Sequence, residues 1–380
     1  MSIVIIGTGL AGYTTAREFR KHDTDTSLTL VTADSGRAYS KPMLSTGYRK
    51  QQTPHDLVQS SPEEMARQLD ATVLTDTRVE AILPDEGEVH LRDGKSIAFD
   101  KLVLALGADP VAPPIRGDAV DRIFQINDLD QYERFRKVGD HAGRVLVIGG
   151  GLIGCEFAND LREADRQVDL VFPEPLPLPL LLPDQSAEAL RAALEDLGVV
   201  IHSERTVDRV DADGEQLTAK LSDGSTLQAD TVLAAVGLRP RTELAEAAGL
   251  SVGKAIRVDR SLATSHPNVY ALGDCAEVEG WVLPYVAPLT NAARALAKTL
   301  AGETTDVRYP VMPVNVKTSC CQVVAWPPAG GAEGVWQFDG EAPDIKAEFR
   351  GDGGTLLGFA LTGKRIRERM ALQKELPDLF

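Results

Sequence analysis

The chain is predicted to be an α/β protein built on two Rossmann-like dinucleotide-binding units, and three observations predict it. A glycine turn, IVIIGTGLAG, occupies residues 3–12, and a second, RVLVIGGGLIGCEF, occupies residues 144–157. Each lies in the same order of patterns: apolar strand, turn, helix, second apolar strand. That context gives a GxGxxG sequence its meaning. A length of 380 residues leaves room for two or three domains with sizeable cores.

Residues 3–34 read as strand (IVII), turn, helix (AGYTTAREFRKH) and strand (SLTLVTAD). Gly7 allows the tight turn, Gly9 lets backbone approach a pyrophosphate, and Gly12 lets the helix pack closely on the strand. Thr8, Leu10 and Ala11 complete this turn as cofactor contacts. Ala33 and Asp34 end the second strand, and Asp34, 22 residues beyond Gly12, stands where an acid meets the adenosine ribose.

Residues 144–174 repeat the series, with Gly149, Gly151 and Gly154 in the three glycine roles and Leu152 and Ile153 between them. Here the strand tip is Phe172 and the nearest acid is Glu174, which reads either as the ribose ligand or as a solvated loop acid. No Lys or Arg occurs from 167 to 190, where a 2′-phosphate needs one, so NADH is expected over NADPH. Two nucleotide pockets imply two cofactors and a hydride relay from NADH to a flavin.

Bulk properties narrow the alternatives. The composition, 43% apolar and 25% charged, is that of a soluble globular protein, and a net charge of −16 argues against nucleic acid or an anionic membrane as partner. Met1 and Ser2 run straight into a strand pattern, so no secretory leader is expected. The stretch PLPLPLLLP (175–183) is proline-broken and too short to span a bilayer, so no membrane insertion is expected. Four cysteines without a CxxC pair suit a reducing cytoplasm. Six scattered histidines give no metal-ligand spacing, so any iron belongs to a partner. Neither a GxSxG elbow nor a P-loop occurs.

Further stretches carry a resemblance. TSHPNVYALGDCAEV (264–278), KLVLALGADP (101–110) and DTVLAAVGLRP (230–240) resemble the two-dinucleotide-binding flavoproteins. Closer still, RAYSKPMLSTGY, GLIGCEFANDL, AVGLRPRTELA, YALGDCAEV, PVNVKTSCC and the terminal FALTGKRIRERMALQKELP are together similar to the rubredoxin reductases of bacterial alkane-oxidising systems, over essentially the whole chain. The resemblance implies an NAD-binding domain (110–233) inserted in an FAD-binding domain (1–109 and 234–309). A small α+β C-terminal domain (310–380) follows beside the flavin. It implies that Gly273 and Asp274 hold the ribityl chain and that the Val79 backbone lies by the adenine. Ala105, Gly107 and Gly237 lie at the crossovers, Lys41 and Pro42 contact the flavin, and Val286 donates its backbone N–H to a flavin carbonyl. The proline-rich loop at 173–183 departs from the broader family.

Three residues are expected to carry the chemistry. Glu156 is placed in the first turn of its helix, where a carboxylate gains about 0.3–1 kcal/mol from the dipole; the resemblance instead sends it to the flavin and nicotinamide edge, with Lys41 as its partner. Lys317, closing the strand PVNVK, reads as a solvated lysine or as a cation that stabilises the reduced flavin. The segment APLTNAARALAKTL (287–300) reads as a helix with no Ser, Thr, Asp or Asn cap before it, so that a flavin carbonyl could complete its start. Cys155 reads as a packing residue rather than a redox thiol, and the neighbours Cys320 and Cys321 as packing around the flavin.

The expected function is an FAD-dependent oxidoreductase that takes a hydride from NADH and passes single electrons to rubredoxin, a small acidic iron protein. Two alternatives stand beside it: a reductase of a [2Fe–2S] ferredoxin, and a flavin-bound NADH sensor resembling apoptosis-inducing-factor-like proteins. In a chain of net charge −16, GKRIRERMALQK (363–374) concentrates five cations, read as one helix with Arg365 and Arg369 on a shared face. It is either a solvated helix face or a surface that steers the partner.

Overall fold

A computed structural model describes residues 1–380. The first parallel sheet runs in the order Val269–Ala271, Lys101–Leu104, Ser2–Ile6, Ser27–Val31, Thr72–Leu74. The second runs Ile123–Phe124, Thr231–Ala234, Arg144–Ile148, Gln167–Val171, Val199–His202. Strands covered on both faces are apolar almost throughout. Accordingly Ile3, Val4, Ile5, Val145, Leu146 and Val147 are all buried, each worth roughly 1.5–3 kcal/mol of transfer energy.

Both units also carry a three-stranded antiparallel meander before the crossover strand, at Val79–Ala98 and at Val207–Ala229. The two passages between the units pair with each other as the antiparallel strands Ala108–Pro110 and Leu238–Pro240. A five-stranded antiparallel sheet, starting at Val314–Val316, makes up the C-terminal part.

The cores do not follow the order of the chain. Tyr13, Phe19, Leu102 and Leu296 share one core with the first sheet. A second core joins Leu44, Tyr48 and Leu57 to Phe135, Phe157 and Leu170 of the second unit and to Val314, Val316 and Cys321 of the C-terminal sheet. The stretch 44–57 of the first unit is thereby packed against the second unit and the C-terminal part at once. No helix is long and apolar enough to cross a membrane.

The terminal basic run departs from expectation. It forms a 3-10 turn, Gly363–Glu368, followed by a short helix, Arg369–Glu375, so Arg365 and Arg369 do not share one helix face. Arg365 is held by Asp339 and by Glu368. Gly363, with a φ of +55°, starts the turn, and the Asp344 carboxylate accepts the Lys364 N–H there.

Candidate active site

The two glycine turns are built alike, bond for bond. Gly7 N–H donates to Val31 O and Gly149 N–H to Val171 O, both at 2.8 Å. A Cβ added at Gly7 would lie 2.2 Å from Ala105 O, and one at Gly149 would lie 2.4 Å from Ala235 O. A Cβ at Gly12 would strike Gly7 O at 1.9 Å, and one at Gly154 would strike Gly149 O at 1.8 Å. At Gly9 and Gly151, by contrast, a Cβ meets nothing within 4 Å. The first and third glycines are therefore required by the protein's own backbone. The second opens on the space where a pyrophosphate would approach the helix that starts at Leu10 or Leu152. This cradle fits a dinucleotide in both units.

The acids at the strand ends correspond as well. Asp76 N–H donates to Asp34 O at 2.9 Å, and Glu204 N–H donates to Glu174 O at 3.1 Å. Asp76 and Glu204 both have a left-handed backbone. Glu174 thus occupies in the second unit the place of Asp34 in the first. The surroundings differ. Asp34 Oδ1 accepts from Thr32 Oγ1 at 2.7 Å, from Gly36 N–H at 2.9 Å and from Thr8 Oγ1 at 3.4 Å. Phe172 and Gly150 replace those threonines, and the Phe172 ring fills the space over Gly150, where a Cβ would lie 2.5 Å from Cγ. The proline-rich loop folds back on this turn, with buried Leu178 donating its N–H to Gly150 O at 2.8 Å. A cation reaches this strand end with Arg205, whose backbone N–H donates to Phe172 O. Its guanidinium is taken by Asp223 at 2.5 Å.

Glu156 lies elsewhere than expected. Leu152 is the first helical residue, so Glu156 falls in the second turn, away from the free N–H groups, and the dipole reading fails. Its side chain is 0% exposed and pairs with Lys317 Nζ at 2.5 Å. Ser45 Oγ and Lys317 N–H also donate to it, the latter at 2.9 Å. The expected partner Lys41 is not there. It opens the 3-10 segment Lys41–Thr46, beside Pro42, and its Nζ lies 3.6 Å from Asp274. The segment directs Ser45, not Lys41, at the helix that carries Glu156, and Lys317 arrives from the C-terminal sheet to fill the cationic role.

The remaining expected residues gather around the first unit and the crossovers. Gly273 packs between Ala11 and Leu289, within 3.1 and 3.6 Å of an added Cβ, and so ties the Gly-Asp turn to two helices. The helix Val286–Leu300 starts at Tyr285 with no side-chain cap. Val286 and Ala287 donate to no protein acceptor. Gly107 and Gly237, both left-handed, end the crossover strands after Ala105 and Ala235. Val79 opens the first meander as Val207 opens the second. Burial pushes up the thiols of Cys155, of Cys320 to about 12 and of Cys321 to about 11, so none is a thiolate near neutrality.

Sequence reasoning missed Ser45, Asn159, Asp160 and Ser319. Asn159 and Asp160 are 1% exposed and follow Glu156 at helical spacings of three and four. Polar residues in a buried helix face were the available signal.

Comparison with known proteins bears on this site. Residues 1–296 match the pyridine nucleotide-disulphide oxidoreductase family, and residues 306–376 match the rubredoxin binding C-terminal domain. The chain is 52% identical to the rubredoxin-NAD(+) reductase of Alcanivorax borkumensis, over 100% of this chain and 99% of the relative. It is 38% identical to the nitric oxide reductase FlRd-NAD(+) reductase of Vibrio vulnificus, over 98% and 97%. Among solved structures, the covalent putidaredoxin reductase–putidaredoxin complex aligns with a TM-score of 0.89 at 26% identity, covering 99% of this chain and 94% of that one.

Proposed function

Because the chain belongs to the pyridine nucleotide-disulphide oxidoreductase family, in its rubredoxin-NAD(+) reductase branch, we propose that it takes a hydride from NADH onto bound FAD and passes single electrons to rubredoxin in the cytoplasm. The observation that carries this reading is the pair of complete dinucleotide cradles in one chain, joined to a C-terminal segment that matches a rubredoxin-binding domain. FAD, when bound, supplies the conversion of one two-electron donation into two one-electron steps.

The rest is the work of the chain's own residues. Backbone N–H groups at Leu10 and Leu152 hold the two pyrophosphates, and Asp34 and Glu174 accept from the adenosine riboses. Asp274, oriented by Lys41, holds the ribityl hydroxyls. The free N–H groups of Val286 and Ala287, at the positive end of a 15-residue helix, would donate to a flavin carbonyl and would favour negative charge on it. Glu156 and Lys317 form an ion pair between the second unit and the C-terminal sheet, and would position the nicotinamide. With Arg205 occupied by Asp223, nothing at the second ribose site welcomes a 2′-phosphate.

NADH oxidation with rubredoxin or a [2Fe–2S] ferredoxin as acceptor tests the assignment. A higher kcat/KM with rubredoxin is expected. Preference for the ferredoxin selects the neighbouring activity, and NADH binding without acceptor turnover selects the sensor reading.

A further inference from the structure

One face of the helix Leu152–Glu163 is polar although buried at Glu156, Asn159 and Asp160, and it reaches solvent only at Glu163. Glu156, Asn159, Asp160 and Glu163 stand three, four and seven residues apart, on one stripe. They bind two separate pieces of chain. On one side, Asp160 Oδ2 accepts the Tyr48 N–H and Oδ1 the Arg49 N–H, both at 2.9 Å. Glu156 takes Ser45 Oγ on the same segment, and Glu163 lies 3.4 Å from Arg49. On the other side, Glu156 accepts the Lys317 N–H, Asn159 accepts the Cys320 N–H at 3.2 Å, and Glu163 accepts from Ser319 Oγ at 2.6 Å.

We propose that Asp160 is a positioning residue for hydride transfer. Its carboxylate fixes the Tyr48–Arg49 backbone, and through it Ser45 and the Lys41–Thr46 segment, against the helix face that carries Glu156. The segment cannot be held as well by packing alone. It turns at Gly47, where a Cβ would lie 2.4 Å from Tyr132 Oη, and its next two N–H groups point into a buried junction with no other acceptor. A carboxylate offers each of the two N–H groups its own charged oxygen, and Asp160 uses one for each.

The group is retained against its own stability. Burial pushes its pKa up to about 6 despite two N–H donors and Arg49, with Glu163 adding to the rise. An acid whose folded pKa is raised costs the fold stability as pH rises from its unfolded pKa through its folded one, so its ionised form at neutral pH is not there for stability alone.

The inference rests on the proposed contact of Lys41–Thr46 with the flavin. The test is stopped-flow reduction of FAD-loaded protein by NADH in Asp160→Asn, Asp160→Glu, Ser45→Ala and the Asp160→Asn/Ser45→Ala double variant. Misplacing a reacting pair by about 1 Å costs up to about 100-fold. A fall of about tenfold in the limiting rate is expected for both Asp160 variants, with the apparent Kd for NADH within about twofold of wild type. Asp160→Glu keeps the charge, and it decides the matter if Asp160→Asn does not fold. The double variant should be no slower than the slower single one, because both act through one segment. Wild-type limiting rates in the FAD-loaded fraction, or losses that multiply in the double variant, overturn the proposal. Wild-type protein that NADH does not reduce overturns the functional reading itself.

Discussion

Replacing either member of the Glu156–Lys317 pair should cost unequal amounts, and the inequality follows from exposure. Glu156 is 0% exposed, whereas the Lys317 side chain is 31% exposed and can turn its ammonium to water. In Glu156→Gln the remaining carbonyl can keep the Lys317 N–H, and Ser45 Oγ can rotate to accept from the new amide. What is lost is one charged hydrogen bond to a partly solvated cation, about 2 kcal/mol. In Lys317→Met the cation goes and a fully buried carboxylate is left without its counter-ion, which costs about 3–5 kcal/mol. The double variant removes both charges and should be more stable than Lys317→Met alone, with a coupling energy of about 2–3 kcal/mol. Urea unfolding of the four FAD-loaded proteins, followed by far-ultraviolet circular dichroism, gives the order of midpoints. Lys317→Met no less stable than Glu156→Gln, or two losses that simply add, would refute the reasoning.

Further predictions concern pH, cofactor choice and docking. Asp160 titrates in the fold near pH 6 and in the unfolded chain near 4, so its buried charge is nearly absent at pH 4, half formed at pH 6 and mostly present by pH 7. The stability of wild type relative to Asp160→Asn should fall by about 2 kcal/mol between pH 4 and pH 7; a pH-independent difference would mean that the carboxylate is well solvated. With Glu174 at the ribose position and Arg205 tied to Asp223, kcat/KM should be substantially higher with NADH than with NADPH, and Glu174→Ala with Asp223→Ala should narrow the ratio; equal values in wild type would contradict the assignment. Residues 110–233 carry 12 Lys and Arg against 23 Asp and Glu, while residues 310–380 carry 8 against 9, so the C-terminal part repels an acidic partner less than residues 110–233 do. Arg369→Glu with Lys374→Glu, two exposed cations without a carboxylate partner, should slow rubredoxin reduction in low salt and leave flavin reduction by NADH unchanged; an unchanged rubredoxin rate would put docking elsewhere.

What could be read in the sequence was local. The strand–turn–helix–strand order around Gly7–Gly12 and Gly149–Gly154 was legible because the glycines answer to contacts within a few residues or across one strand. The uncapped helix start at Val286 was legible for the same reason. Glu174 was only half legible: its equivalence to Asp34 rests on a hydrogen bond from Glu204, 30 residues away in the chain. The partner of Glu156 was misread because Lys317 comes from a third part of the chain, 161 residues on, and spacing carries no information about that meeting. Asp160 was invisible as a ligand of Tyr48 and Arg49 because backbone acceptor needs leave no mark on residue identity. The terminal basic run was misread as one helix because its first turn is 3-10 and tied to Asp339 and Asp344, contacts from outside the segment that its spacing does not show.

The central claim is the two-electron to one-electron relay, and its most direct measurement is stoichiometric. FAD-loaded protein is mixed without oxygen with a limiting amount of NADH and an excess of oxidised rubredoxin, and the visible absorbance of the iron centre is followed. The account predicts two rubredoxins reduced for each NADH consumed, with the flavin returning to its oxidised spectrum. NADH consumed while rubredoxin stays oxidised, or rubredoxin reduced no faster than by free FAD, would contradict it.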